Sequence, residues 1–177
     1  MSLAAGTYTI DKEHTVIGFV TKHAMVTKVR GNFGEFEGTI NVAENIADST
    51  AEATIKADSI STGNEDRDGH VKNEDFFNVE QYPELSFTTT NVNVDEDGNG
   101  TVTGDLTIKG TTKSVDLKVE EVATAEDPFG NFRLGFEAQT KINRKDFGID
   151  FNAPLKTGGV LVSEDIKIEL EVSAIKQ

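Results

Sequence analysis

Thr101-Val102-Thr103-Gly104-Asp105-Leu106-Thr107-Ile108-Lys109 is the stretch that decides the fold. Its apolar side chains, Val102, Leu106 and Ile108, share one face of an extended chain, and the opposite face carries only polar side chains. Successive side chains of a β-strand point to opposite faces, so this alternation is typical of an antiparallel strand with one buried and one solvated face. The stretch therefore predicts a half-buried strand.

The same alternation recurs along most of the chain. Strands are predicted at residues 15–22, 34–42, 51–57, 85–94, 101–109, 115–122, 132–142 and 166–174. Clusters of turn-forming residues at 95–100 and 109–112 separate neighbouring strands. No segment shows a sustained helical period, so the chain is predicted to be all-β with about eight strands.

The length of these strands indicates how the sheet is arranged. Without helices to cover its apolar face, the sheet must close on itself or fold into a sandwich. Several strands reach eight to eleven residues, which suits the tilted strands of a barrel. We therefore expect an extended eight-stranded antiparallel β-barrel whose interior holds either side chains or one ligand.

One segment, residues 59–83, departs from the strand pattern. It is charged, and Asn64-Glu65-Asp66 and Asn73-Glu74-Asp75 each resemble a helix start, with an Asn cap and acids in the first turn. A connection of this length in a compact domain is usually a lid or a binding loop. The prediction is one short helical insertion that places Phe76, Phe77 and Tyr82 over an opening.

Composition limits the partners. The chain has 177 residues, 17 Lys plus Arg against 31 Asp plus Glu, a net charge of −14, and no Cys. This charge predicts repulsion from nucleic acid and from anionic membrane surfaces. No apolar run approaches the ~20 residues of a membrane span, so stable membrane insertion is not expected. The absence of Cys excludes disulfides and thiolate chemistry.

The chain ends and the compartment are predicted from the same composition. Residues 1–5 are predicted to be a flexible terminus or a remnant of expression, and residues 6–177 a single domain, monomeric or homodimeric. The start lacks the basic and apolar regions of a signal peptide, which favours a cytoplasmic location, or a periplasmic or secreted one if a signal has been removed.

Catalytic and metal sites have little support in the sequence. Of the histidines, His14 and His23 fall on opposite faces of any continuous strand, and His70 lies near Asp66 and Asp68 in a charged loop. The spacing of metal ligands is missing, so we predict a solvated loop whose acids cap helices and pair with Arg67, with no metal. No nucleophile elbow, phosphate loop or dinucleotide fingerprint is present, and no catalytic residue is predicted.

Every second residue of a strand faces the same side, and this parity places cationic groups at the ends of two rows of inward apolar residues. The row that starts at Phe132 continues past Ile142 to Arg144, and the row of Ile17 and Phe19 continues to His23. A barrel with a cation or histidine at its rim suits an amphiphile with an apolar tail and a polar head. The alternative is that each group lies just past its strand and pairs with a nearby carboxylate, such as Asp146.

Taken in order, several motifs resemble the YceI-like, polyisoprenoid-binding family of bacteria. They include Tyr8-Thr9-Ile10-Asp11, His14-Thr15-Val16-Ile17-Gly18-Phe19, Arg67-Asp68-Gly69-His70, Tyr82-Pro83-Glu84-Leu85-Ser86-Phe87 and Ile142-Asn143-Arg144-Lys145-Asp146-Phe147-Gly148. The resemblance covers about residues 8–172, with Thr15 and Val71 as minor departures from the expected Ser and Leu. It implies a lipocalin-like barrel that holds an isoprenoid, quinone-type or related lipid, with links to stress responses in some relatives and no established catalytic residues.

These arguments predict a protein that binds, stores or transports a long-chain isoprenoid or other amphiphilic lipid and needs no other cofactor. The residues predicted to line the pocket are Ile17, Phe19, Phe33, Phe36, Phe76, Phe77, Leu106, Ile108, Phe132, Leu134, Phe136 and Phe147. Those predicted to meet a polar head group are His23, Arg67, His70 and Arg144. Two alternatives stay open, a solid-cored structural or stress-response protein without ligand, and an enzyme acting on an isoprenoid lipid.

Overall fold

Eleven strands and one α-helix make up the part of the chain that the computed structural model describes, residues 3–153, 155–156 and 162–177. The strands are β1 (Gly6–Ile10), β2 (Val16–His23), β3 (Thr27–Phe33), β4 (Phe36–Val42), β5 (Thr50–Lys56), β6 (Ile60–Ser61), β7 (Glu84–Val94), β8 (Gly100–Ile108), β9 (Thr111–Glu126), β10 (Phe132–Asn143) and β11 (Asp165–Lys176). Helix α1 spans Glu65–Lys72, and short 3₁₀ helices lie at Lys12–His14, Ile46–Asp48, Ala57–Ser59 and Arg144–Phe147.

The strands form one closed antiparallel sheet. In the order β1-β4-β5-β7-β8-β9-β10-β11 each strand pairs with the next, and β11 pairs back with β1. Strands β2, β3 and β6 prolong β1, β4 and β5 beyond short breaks: β2 pairs with β11 and β3, and β3 pairs with β6. The barrel thus has eight long strand positions that follow one another along the chain, and the prediction of an eight-stranded, lipocalin-like barrel is confirmed.

Strands β1, β3 and the two-residue β6 are absent from the sequence prediction. Few large apolar residues mark β3, where Lys28, Arg30 and Asn32 alternate with Val29, Gly31 and Phe33. Gly31 interrupts the apolar row because a Cβ at this position would overlap the ring of Phe19 on the paired strand. Glycine at this position therefore leaves space for the Phe19 ring inside the barrel, but it also interrupts the alternation of apolar and polar residues by which strands are recognised.

Two clusters of packed side chains occupy the two ends of the barrel. One lies at the end covered by the insertion 59–83, which we call the lid end. This lid-end cluster consists of Phe33, Ile55, Ala57, Ile60, Phe76, Leu85, Leu106, Ile108, Phe147 and Ile149. The base cluster consists of Tyr8, Val42, Leu134 and Ala174, with Leu3 and Phe132 among the side chains packed on it. Of the N-terminal segment 1–5, residues 1 and 2 lie outside the described residues, while the carbonyl of Ala4 accepts a hydrogen bond from the Tyr8 hydroxyl at 2.8 Å.

The insertion at residues 59–83 contains one helix, as predicted, but only its first predicted start is correct. Asn64 caps α1 by accepting a hydrogen bond from the backbone N–H of Arg67 at 2.9 Å. Asn73 instead ends α1, and its side chain accepts from the N–H of Asp75 at 2.9 Å, which closes a tight turn. The four 3₁₀ helices were not predicted, because single turns are too short to show a period.

Candidate functional site

The interior of the barrel holds a cavity of about 660 Å³. Inward side chains of every long strand line it, and nearly all are apolar; they include Ile40, Ala53, Phe87, Val102, Val119, Ala138, Leu170 and Val172. Cavities that enclose small ligands usually measure about 300–1,000 Å³ and have apolar walls with few polar groups. The bore therefore has the size and chemistry of a site for an apolar molecule.

Ten of the twelve residues predicted to line the pocket border this cavity. They are Ile17, Phe19, Phe33, Phe76, Phe77, Leu106, Ile108, Leu134, Phe136 and Phe147. The structure places the other two elsewhere: Phe36 packs against the lid-end cluster, and Phe132 lies in the base with its ring 6.5 Å from that of Tyr8. Phe132 shares the inward parity of Leu134, but it is the first residue of β10 and so falls at the base, against Tyr8.

Aromatic rings gather at the lid end. The ring of Phe77 meets that of Phe33 edge-on at 5.9 Å, and Phe76 lies 5.3 Å from Phe151. His70 stacks edge-on between the rings of Phe76 and Phe151, at 5.1 and 5.0 Å. The insertion thus covers this end of the bore with Phe76 and Phe77, as expected of a lid, whereas the ring of Tyr82 lies against Gly110 and does not border the cavity.

Hydrogen bonds tie α1 to the end of β6 through Thr62. The carboxylate of Asp68 accepts from both the N–H and the hydroxyl of Thr62, at 2.8 and 2.5 Å. Arg67 donates to the hydroxyl oxygen and to the carbonyl of Thr62, both at 2.8 Å. His70 pairs with Asp75 at 3.1 Å. The acids of this loop therefore brace the lid, although Asp68 bonds to Thr62 rather than to Arg67 as expected.

Arg144 is a buried cation at the cavity wall, with 4% of its surface exposed. Its guanidinium donates to three backbone carbonyls, those of Ser163 at 2.9 Å, Ile149 at 2.6 Å and Val162 at 3.2 Å. Burial lowers the pKa of Arg144, while the charges of Glu164 and Asp150 oppose that shift. The expected alternative partner, Asp146, is not the one observed, because the loop after the 3₁₀ helix folds its carbonyls around the guanidinium.

The four predicted head-group residues, His23, Arg67, His70 and Arg144, all border the same cavity. His23 is exposed at the end of β2 and forms an isolated β-bridge with Val162, whose carbonyl also accepts from Arg144. The structure thus brings polar groups from three separate segments to the lid end. Sequence parity could not show this, because the segments meet only when the barrel closes.

The loop after β10 supplies wall residues that the sequence analysis did not name as lining. Ile149 belongs to the lid-end cluster, Phe151 packs on it, and both border the cavity with Val162. Phe147, Ile149 and Phe151 alternate with polar or small residues, which is the signal that could have identified them. Gly148 adopts a φ of 76° that ends the 3₁₀ helix and turns this row inward.

At the base, Arg133 links two carboxylates on the outside of the barrel. It donates to Asp127 at 2.8 Å and to Asp11 at 2.9 Å. These hydrogen bonds lower the pKa of Asp127 to about 2 and also lower the pKa of Asp11. The network fastens the turn between β9 and β10 to the turn after β1, which is a structural role.

Neither a metal-binding cluster nor a membrane-spanning helix is found among the described residues. No group of three or more His, Asp or Glu side chains is gathered there in a way that could hold a metal ion. None of the helices found there has the length and apolarity needed to cross a bilayer.

Comparison with known proteins adds relatives to this geometry. The UPF0312 protein plu2095 of Photorhabdus laumondii is 40% identical over 173 residues, covering 96% of this chain and 88% of that protein. The crystal structure of Burkholderia cenocepacia BcnA superposes with a TM-score of 0.77 at 23% identity, covering 93% of this chain and 98% of that one. A polyisoprenoid-binding domain from Saccharophagus degradans superposes with a TM-score of 0.70 at 16% identity, covering 98% and 100%.

At these identities the two superpositions establish the shared fold and nothing more. The sequence profile of the YceI-like domain matches residues 8–174. This match spans almost the entire chain, from β1 to β11, and agrees with the motifs found in the sequence. The chain therefore belongs to the YceI-like family.

Proposed function

We propose that this protein binds a long-chain isoprenoid or a similar amphiphilic lipid in its barrel and serves to store or transport it. The observation that carries the proposal is the apolar bore of about 660 Å³ inside a closed barrel. Removing a lipid chain from water gains about 0.8 kcal/mol per CH₂. A tube with apolar walls can thus hold a polyprenyl tail with few polar contacts.

The cavity favours this function over a solid-cored structural protein. Side chains in a filled core pack as densely as in organic crystals and leave few voids larger than one water molecule. Small side chains such as Ala53 and Ala138 stand at inward positions around the bore and keep it open. An interior without a ligand would gain stability from larger residues at these positions.

Relatives support binding rather than catalysis. The Saccharophagus degradans domain that shares this fold is a polyisoprenoid-binding domain. The one buried cation on the cavity wall among the described residues, Arg144, donates to backbone carbonyls that hold the wall together. We therefore propose a binding protein and not an enzyme.

The head group is proposed to lie at the lid end, beside Arg144. Three of the five N–H bonds of its guanidinium meet carbonyls of described residues, the other two form no hydrogen bond to a described residue, and the side chain borders the cavity. A phosphate or other anionic head could accept from them in the charge-assisted manner that arginine favours. Arg67 and His70 border the cavity at the same end.

The test is identification of the ligand followed by titration. Protein purified without detergent is extracted with organic solvent, and the extract is analysed by mass spectrometry for polyprenyl or quinone-type lipids. Delipidated protein is then titrated with a polyprenol and with the matching polyprenyl phosphate. Saturable binding of both is expected, and failure to bind any long-chain apolar ligand would remove the proposal.

A variant of Arg144 tests the placement of the head group. Arg144→Lys keeps the charge but loses the planar fork, so it should weaken binding of the phosphate by about 1.5–3 kcal/mol and leave the polyprenol unaffected. Equal weakening of both ligands would show that Arg144 acts on binding only through the wall that it supports and does not contact the head group.

A further inference from the structure

The hairpin of β2 and β3 has a composition unlike the rest of the molecule. We propose that its tip, residues 24–26, docks the lid end of the barrel on an anionic lipid bilayer. The docking is argued from the hairpin itself; only its purpose, the exchange of a lipid between bilayer and bore, rests on the proposed function.

The tip exposes apolar side chains to solvent. Met25 is 53% exposed and Val26 is 81% exposed. Ala24 and Met25 both adopt positive φ, 51° and 70°, a conformation that side chains other than glycine and asparagine rarely take. They are the central residues of a hairpin turn that the Val26 N–H closes by donating to the His23 carbonyl at 3.3 Å, and such turns place both central residues at positive φ. The turn thus holds Met25 and Val26 out in solvent at the tip of the hairpin.

Charge is segregated in the same hairpin. No Asp or Glu occurs from His14 to Gly34, whereas the whole chain carries 31 of them. Lys22 and Lys28 lie directly opposite each other on the paired strands, an arrangement of like charges that destabilises a sheet. Neither lysine forms an ion pair with any described residue, and Arg30 only approaches Glu169 at 3.5 Å.

An apolar tip flanked by unpaired cations matches the boundary of an anionic bilayer. Apolar side chains enter the region between head groups and acyl chains, while Lys and Arg stay beside the phosphates. The total charge of −14 predicted repulsion from such a surface, but charges farther away than ~8 Å are largely screened at physiological ionic strength. The local charge of the hairpin therefore decides the contact.

The position of the hairpin agrees with a role in lipid exchange. Thr21 and His23, at the inward positions of β2, border the bore, and His23 bridges to Val162 at the lid end. The opposite end carries the exposed Phe129, in a turn that contains Asp127 and follows Glu126. Docking by the β2–β3 tip would therefore turn the lidded end, and not the base, towards the membrane.

Vesicle flotation tests the docking. The full chain is mixed with vesicles of phosphatidylcholine alone and of equimolar phosphatidylcholine and phosphatidylglycerol. We expect binding to the anionic vesicles only, weakened by salt. Met25→Ser combined with Val26→Ser should lower the partition coefficient roughly tenfold or more, since two apolar side chains no longer enter the bilayer. Lys28→Glu should lower it roughly 25-fold, because one attraction is replaced by one repulsion.

Phe129→Ser is the matched control, because it removes an equally exposed apolar side chain from a turn at the base. It should bind vesicles like the unchanged protein, and circular dichroism should show that every variant is folded. Absence of binding to anionic vesicles, or equal loss in the tip variant and in Phe129→Ser, overturns the proposal. The proposal is also overturned if none of the proteins binds vesicles and the unchanged protein is a dimer whereas the tip variant is a monomer. That result would assign the tip to self-association.

A polyprenol titration of the same proteins separates the two proposals. Tip variants that bind polyprenol normally but no longer float with vesicles are the expected result. A protein that floats with anionic vesicles but binds no polyprenol would leave the docking intact and remove the proposed lipid cargo.

Discussion

The open interior of the barrel can be tested by placing a larger side chain at Ala138. This residue lies in the middle of β10, opposite Val119 and Leu170 on the neighbouring strands, is buried, and borders the cavity. In Ala138→Leu the side chain gains three carbon atoms. If they enter open apolar space, burial stabilises the fold by about 2 kcal/mol, at 0.8 kcal/mol per CH₂. If the interior were already filled, overpacking would destabilise it by about 1–3 kcal/mol.

The two cases differ in sign, so a measurement of unfolding by urea distinguishes them. We expect a higher midpoint with an unchanged m-value for ligand-free Ala138→Leu, together with weaker binding of polyprenol, because the new side chain occupies the path of the tail. Gln139→Leu serves as the control, since the next residue along the strand faces outward; it should leave ligand binding unchanged. A lowered midpoint with unaltered binding would refute the assignment of an open bore at this level.

Three further predictions concern the polar groups. Arg144→Met should destabilise the fold by roughly 3–5 kcal/mol, because three carbonyls lose their donor. Lys145→Met is the control: it breaks the exposed ion pair with Glu164 and should cost under about 1 kcal/mol. Equal losses of stability in urea unfolding would contradict this prediction. The pKa of Asp127 is held at about 2, below its ordinary 3.8, so its pairing with Arg133 stabilises the fold above pH ~4, and this contribution is lost as the pH falls towards 2. Arg133→Gln should therefore lower the melting temperature at neutral pH and make it depend less on acid. An unchanged dependence of the melting temperature on acid would exclude the pairing. Thr62→Val should speed amide exchange within α1 while β8 and β9 stay protected, and uniform exchange would show that Thr62 does not anchor the lid.

The alternation of apolar and polar residues was sufficient to predict the barrel. Stretches such as residues 101–109 and 132–142 bury one face and solvate the other, and a period of two leaves no helical alternative. The same parity identified Phe19, Leu106 and Phe136 as inward residues, since a strand's two faces are determined by its own sequence. Asn64 likewise indicated the start of α1, because capping is a local interaction.

What depends on contacts distant in sequence could be decided only by the tertiary structure. Parity assigns a face but no height along the barrel, so Phe132 and Leu134 looked equivalent although both belong to the base and only Leu134 borders the cavity. The partners of Arg144 are carbonyls of a loop that reaches it only after β11 closes on β10 and β2. The volume of the bore depends on how eight strands close around it, and no single strand carries that information.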